Sequence, residues 1–330
     1  KYANSLMLRL AMRLREARDA EMQSWSKEYV EKALKHDIGV MTEVQDAAAA
    51  GTGAGISLRN PLFWISDNYN DARVGTTILS YLTGYNDPRL SAYCLPVHAE
   101  CTVGVTAFDG KKYQGVPLGH TETRTDDKSW YKDSYYFYSK PNLTANSPLY
   151  WMRTSEVLFL RAEAALYYGA EFGDAEALYK AGIAMSFAEN GVQGSVDSYM
   201  NSGKTPSAVE NSSRYYGYPS PAPCETTAKF SGSTEQKLEK IMIQKYIAMF
   251  PNGQEAWTEF RRTGYPKLNP IIPGGNYNKS NISDERGIRR MIYPVSFKST
   301  EATWDLYQDA VQKLGGPDKE STDLIWAKQN

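Results

Sequence analysis

The stretch "SEVLFLRAEAALYYGAEFGDAEALYKAGIAMSFAENG", Ser155 to Gly191, decides the fold. Val157, Leu160, Ala164 and Tyr168 recur at helical spacing, and Gly169 is placed to end the helix. Asp174 then reads as the N-cap of a second helix, along which Ala177, Ala181, Ala184 and Ala188 form a stripe of small residues. Such a stripe lets two helices approach closely. The unit has about the 34-residue period of a tetratricopeptide (TPR) hairpin without its full consensus, so the expected class is mostly α, built from TPR-like hairpins.

Working outward, "KYANSLMLRLAMRLREA" repeats Leu6, Leu10 and Leu14 at i, i+4, i+8, with Arg9 and Arg13 on another flank. These residues need a partner, and a preceding portion of a longer protein is expected. A second helix over 26–39, with Val30, Leu34 and Ile38 on one stripe, supplies a hairpin mate. Downstream, Ser233 and Gln236 match a capping box before the apolar "EQKLEKIMIQKYIAMF". Pro251-Asn252-Gly253 turns the chain, and "QEAWTEFRR" ends at Thr263-Gly264 before Tyr265-Pro266. Tyr246 and Trp257 are expected in the core.

Arg261-Arg262 and Arg289-Arg290 each precede a Tyr-Pro step. The first pair sits in a last helical turn with Glu255 or Glu259 in reach, which makes it scaffold, solvated or paired with acids. The echo marks two chain exits, not an internal repeat.

The segments between are different in kind. "AAAAGTGAGISLRNP" reads as a flexible connector, and Trp64, Tyr69, Tyr81 and Tyr85 follow among turn residues. Asp109-Gly110 suggests a hairpin turn in a small β element. "SWYKDSYYFYS", which contains Trp130 and Tyr131, holds more aromatics than a one-sided strand can bury. The excursion from Glu189 to Thr234 contains Tyr215, Tyr216 and Tyr218, and connections of that length are usually functional or disordered.

Composition narrows the function. A formal charge of −1 over 330 residues argues against nucleic acid or an anionic membrane surface as a partner recognised by bulk charge. Tyr outnumbers Phe by 24 to 10, which favours rings with one wet end. Cys94, Cys101 and Cys224 lack metal or dense-disulfide spacing, and His36, His98 and His120 lack ligand spacing. No cofactor motif is present. Glu156 and Glu163, the best carboxylate pair on one helix, have Cα atoms roughly 10.5 Å apart along the axis, too far for a glycosidase pair. They are expected to be structural, with Arg153 and Arg161 as ion-pair partners.

"EKIMIQKYIAMFPNGQEAWTEFRRTGYPKL" resembles the signature segment of SusD/RagB-like nutrient-binding outer-membrane lipoproteins. "RRMIYPVS" and "LGGPDKESTDLIW" resemble that family's C-terminal end, and "ANSLMLRLAMRL", "YNDPRLSAY", "YQGVPLG" and "SEVLFLRAEAAL" agree in the same order. Phe297 departs from the Glu often found there, and "LIWAKQ" lacks a paired Trp. The resemblance implies one SusD-like domain over 1–330, with helical scaffold at 1–40, 150–190, 233–264 and 300–314. Loop-rich ligand-facing parts then cover 50–148 and 189–232. It further implies a surface-exposed protein that captures oligosaccharides or oligopeptides and delivers them to a SusC-like TonB-dependent transporter. Membrane attachment would be through a lipid anchor outside these residues, with neither catalysis nor metal.

Because loops carry accessible surface, the expected stacking residues are Trp64, Tyr69, Trp130, Tyr131, Tyr215 and Tyr216. A helical glycoside hydrolase and a protein-binding TPR-like scaffold are the rival readings; the second leaves those aromatics without a role.

Overall fold

A computed structural model describes residues 1–51, 58–69, 71–97, 113–119, 138–209, 220–271, 282–283 and 286–327. The expected Asp109-Gly110 hairpin lies outside them, as do Cys101, His98 and His120. Hairpins of α-helix dominate: α1 (Tyr2–Leu14) with α2 (Ala20–Lys35), and α6 (Thr154–Tyr168) with α7 (Ala175–Glu189). Between these pairs lie α3 (Pro61–Phe63), α4 (Thr76–Gly84) and α5 (Leu90–Tyr93). α8 (Val196–Met200), α9 (Thr234–Ala248), α10 (Gly253–Thr263), α11 (Val295–Ser299) and α12 (Glu301–Leu314) follow. A two-stranded antiparallel sheet pairs β1 (Ala48–Ala50) with β2 (Leu149–Met152). The alanine run read as connector therefore begins as a strand, its backbone paired to a segment a hundred residues away in sequence.

Local signals act where they stand. Asp174 Oδ1 accepts the Ala177 N–H, Ser233 and Gln236 close a capping box, and Gly264 ends α10 in the left-handed region at φ 79°. Asn252 caps α10 through the Glu255 N–H.

Which faces are buried is another matter. The Leu6-Leu10-Leu14 stripe does not face the core; Leu10 is half exposed, and Leu8, Ala11 and Met12 are buried instead. The register rotates because Arg9 turns inward to an acid, so the apolar face sits next to a charge. α2 starts earlier than expected, capped by Asp19, and ends at Lys35, leaving Ile38 exposed beyond it. The alanine stripe of α7 likewise faces outward or is half-buried, while Tyr179, Gly182, Ile183, Ser186 and Phe187 are buried. Close approach of α6 and α7 occurs at Gly182, where an added Cβ would stand 2.7 Å from the Phe159 ring.

α6 is buried nearly all round because it separates two cores. Phe159 and Ala162 join Leu79, Tyr81, Tyr179 and Ile241 on one side. Val157, Leu160 and Ala164 join Leu8, Met12 and Val30 on the other. Tyr81 and Tyr85, read among turn residues, belong to the first core through α4 and its end.

Between the cores runs a chain of buried charges. Arg262 forks onto Glu163 at 2.7 and 2.8 Å and onto Glu259 at 2.7 and 3.1 Å. Arg15 adds a bond to Glu163 at 3.0 Å. Lys245 approaches Glu259 at 3.1 Å and Glu156 at 3.8 Å, and Arg9 forks onto Glu156 at 2.7 Å twice. Arg153 and Arg161 take no part, contrary to expectation: the acids of α6 point at α1, α9 and α10, which sequence spacing along α6 cannot reveal. The Arg pairs are buried rather than solvated. Arg261 donates to the Arg289 carbonyl at 3.2 Å, and Arg289 donates back to the Arg261 carbonyl, so the two sequence echoes meet face to face. Trp257 is half-buried, not core, with the Arg261 guanidinium 3.6 Å above its ring. Tyr246 is half-buried against the first core. Arg89, also fully buried, forks onto Asp87 and donates to Ser186 Oγ and Gln244 Oε1, stitching the Asn86-Asp87-Pro88 turn to α7 and α9.

Burial alone would raise the carboxyls of Glu163 and Glu259, but the cations around them win: Arg262 and Arg15 at Glu163, Arg262 and Lys245 at Glu259. Both acids are held below the usual carboxylate range. Their stabilisation is therefore fully present above the unfolded value of about 4.3 and is lost as pH falls through the native values.

Arg262→Met should cost about 3–5 kcal/mol, because two buried carboxylates lose their main partner; chemical denaturation at pH 7 measures it. The unaltered chain should weaken progressively below about pH 4, and the variant should show a shallower acid dependence, since its stranded acids gain by protonation. Gly182→Ala provides a sign test. An exposed helical Gly→Ala gains up to about 1 kcal/mol, whereas here the clash with Phe159 should lower stability by about 1–3 kcal/mol in thermal melts.

Candidate ligand-binding site

β2 carries the clearest consequence of strand alternation. Met152 is buried in the second core, and Trp151, one residue back, turns outward with 54% of its surface exposed. Tyr2 comes from the start of α1 and places its ring 6.4 Å from that of Trp151. Both line a cleft of about 860 Å3. Its other walls are Pro61, Leu62 and Ile65, and the turn from Phe250 to Glu255.

The wall at 60–65 is fixed by one side chain. Asn60 Oδ1 caps the short helix by accepting the Leu62 and Phe63 N–H groups, and its Nδ2 donates to the Ser147 carbonyl at 3.1 Å. The chain continues as one turn of π-helix, Trp64–Asn68, a geometry that often marks functional positions. Trp64 and Tyr69 meet edge to face with ring centroids 6.1 Å apart, and Arg59 lies 5.3 Å above the Trp64 ring. Trp64 is half-buried and Tyr69 exposed. Two of the six expected stacking residues are thus neighbours beside the cleft, where Ile65 of the same turn forms part of its lining. Trp130, Tyr131, Tyr215 and Tyr216 lie outside the described residues.

Trp151 and Tyr2 both sit in segments, 150–190 and 1–40, where helical scaffold is the sequence expectation. The signal was present: Leu149 and Trp151 alternate with Tyr150 and Met152, and one face of so short a strand must look outward.

The floor of the cleft is polar. Glu189 accepts the Ser155 O–H at 2.6 Å and N–H at 3.1 Å. Burial nonetheless raises its carboxyl above the ordinary value, with Ser155 and Arg153 opposing. Arg153 is itself buried, lies 3.9 Å from the centre of the Tyr150 ring, and has an Nη1 without a hydrogen-bond partner among the described residues. Asn190 Nδ2 donates to Tyr93 Oη at 3.0 Å. Arg9 donates to the Trp151 carbonyl at 3.0 Å while forking onto Glu156, so the buried charge chain also fixes the strand that presents Trp151.

Chemically, the arrangement offers ring faces with polar groups beneath them. A raised carboxyl in a cleft can serve as a general acid. The other acids of this cleft are already engaged, Glu156 by Arg9 and Glu255 by Arg13. Among the described residues no group of three His, Cys, Asp or Glu could hold a metal ion. Cys94 and Cys224 are free thiols, and burial pushes the Cys94 thiol up to about 12. No helix among the described residues is long and apolar enough to cross a membrane.

Comparison with known proteins gives a consistent result. No curated protein matches the chain. Among solved structures, a SusD homologue from Bacteroides thetaiotaomicron VPI-5482 is 32% identical with a TM-score of 0.84, covering 100% of this chain and 65% of that one. A SusD homologue from Bacteroides uniformis ATCC 8492 is 34% identical with a TM-score of 0.83, covering 100% and 64%. A chitin-binding SusD homologue from Flavobacterium johnsoniae is 34% identical with a TM-score of 0.80, covering 98% and 62%. The chain thus spans a little under two thirds of the length of these structures. The family model described as Susd and RagB outer membrane lipoprotein matches residues 1–327, and the chain belongs to this SusD-like family.

Proposed function

We propose that the protein is a nutrient-binding component of the outer-membrane surface, which captures oligosaccharides without cleaving them and passes them to a SusC-like TonB-dependent transporter. The observation that carries the ligand reading is the cleft of about 860 Å3 in which Trp151 and Tyr2 stand over a floor of Arg153, Glu189 and Asn190. Aromatic faces stack on the apolar faces of sugar rings, while the polar groups beneath satisfy hydroxyls, a combination typical of small-molecule sites. Trp64 and Tyr69 extend this surface, and we keep Trp130, Tyr131, Tyr215 and Tyr216 in the proposal as loop aromatics of the same kind. The chitin-binding relative supports a saccharide over a peptide. Surface location, lipid anchoring and the transporter partner rest on family membership.

Capture without turnover is supported by the pairing of the acids: of the carboxylates lining the cleft among the described residues, Glu156 is held by Arg9 and Glu255 by Arg13, so Glu189 has no second free acid to work with. Glu163 is likewise bound by Arg262.

Calorimetry against oligosaccharide and oligopeptide libraries tests the reading, with neutral oligosaccharide binding as the expected result. Trp151→Ala should weaken that binding by about 1–3 kcal/mol, roughly 5- to 150-fold in Kd, and leave the thermal midpoint nearly unchanged. Tight peptide binding without a sugar response, or hydrolysis abolished by Glu156→Gln, would overturn it.

A further inference from the structure

A second cavity, of about 610 Å3, shares no lining residue with the aromatic cleft and lies between α2, the following segment to Thr42, and α6. Its charged lining is Lys1, Lys27, Lys35 and Arg161 against Glu31 and Glu171. Each lysine already has an acid. Lys27 pairs with Glu171 at 3.1 Å, Lys1 with Asp46 at 2.9 Å, and Lys35 with Glu31. Arg161 differs from them. It is half-buried, its Nε is enclosed without a hydrogen-bond partner, and no carboxylate stands within ion-pair distance of it among the described residues.

The reason lies in α6. Leu160 and Ala162 on either side of Arg161 are locked in the two cores, so the arginine cannot swing far from the cavity. The two acids of its own helix, Glu156 and Glu163, are held by cations of α1, α9 and α10. Burial pushes the Arg161 guanidinium below its ordinary value, and no neighbouring acid offsets the shift. A partly desolvated guanidinium with no counter-ion gains more from a carboxylate than a hydrated lysine does, because its planar fork matches two oxygens at once.

We propose that this cavity is a second binding site, which takes the carboxylate of an acidic sugar residue, a uronate, with Arg161 as its anchor. Charge selects a singly charged group. One cation in the lining lacks a partner, so a carboxylate balances it, whereas a phosphate dianion would leave an excess of negative charge. Shape selects a ring-bearing ligand. The rest of the lining is partly apolar, with Leu34, Val40 and Phe172, and the volume lies within the range of roughly 300–1,000 Å3 usual for small-molecule sites.

Calorimetry of the folded chain with D-glucuronate, D-glucose and acetate tests this. Glucuronate should bind at least tenfold more tightly than either glucose or acetate. Arg161→Met should weaken glucuronate binding at least tenfold without lowering the thermal midpoint, since it removes a charge that has no partner. Arg161→Lys, which keeps the charge but not the fork, should fall between. Trp151→Ala should leave glucuronate binding unchanged, which separates this site from the aromatic cleft. Equal binding of glucose and glucuronate, absence of glucuronate binding, or full binding by Arg161→Met would overturn the proposal, and acetate binding as tightly as glucuronate would overturn the sugar assignment.

Discussion

The grip of Arg262 on Glu163 and Glu259 is the constraint on which the rest of the structure depends. Three helices, α6, α9 and α10, converge where these charges meet, and α1 joins through Arg15 and Arg9. A buried ion pair adds little net stability compared with a well-packed apolar substitute, because desolvation consumes most of the attraction. Its force is in the alternatives it forbids. A slip of α6 by one residue would leave an acid facing hydrocarbon and a guanidinium without a partner, at a cost several times that of a misplaced methyl group. Packing of the two cores on either side of α6 is thereby held to one register.

The same chain of charges reaches the candidate site. Arg9 holds Glu156 with two donors and uses another bond to hold the Trp151 carbonyl, so the most exposed ring of the cleft is seated on a strand tied to the centre of the molecule. A stacking residue on a fixed backbone loses little conformational freedom when a ligand arrives, and this preorganisation favours binding. One set of interactions therefore both seats the strand that carries Trp151 and holds Glu156 in place.

Much of this was legible in the chain. Asp174, Ser233 with Gln236, and Gly264 act on backbone groups two to four residues away, so their roles as caps and stops follow from sequence. Trp64 and Tyr69 meet edge to face, close in sequence as in space. The errors share a cause. For Leu6, Leu10 and Leu14 and for the alanine stripe of α7, periodicity reports that a helix has faces, not which one a neighbour covers. Arg9 overrides the leucines by demanding Glu156, and Gly182 overrides the alanines by admitting Phe159.

The sequence by itself determined local outcomes: the caps and stops at Asp174, Ser233 and Gly264, that helices pair as hairpins, that aromatic residues crowd the connections, and which family the chain resembles. Each of these rests on interactions that span a few residues or on motifs read in order. Only the tertiary structure decided the partners across long separations. Glu156 and Glu163 pass over the nearby Arg153 and Arg161 for Arg9 and Arg262, the two Arg-Arg echoes bond to each other's carbonyls, and Arg161 is left with no acid among the described residues. Those choices turn on which surfaces are desolvated together, and desolvation is a property of the assembled packing that no spacing within one helix encodes.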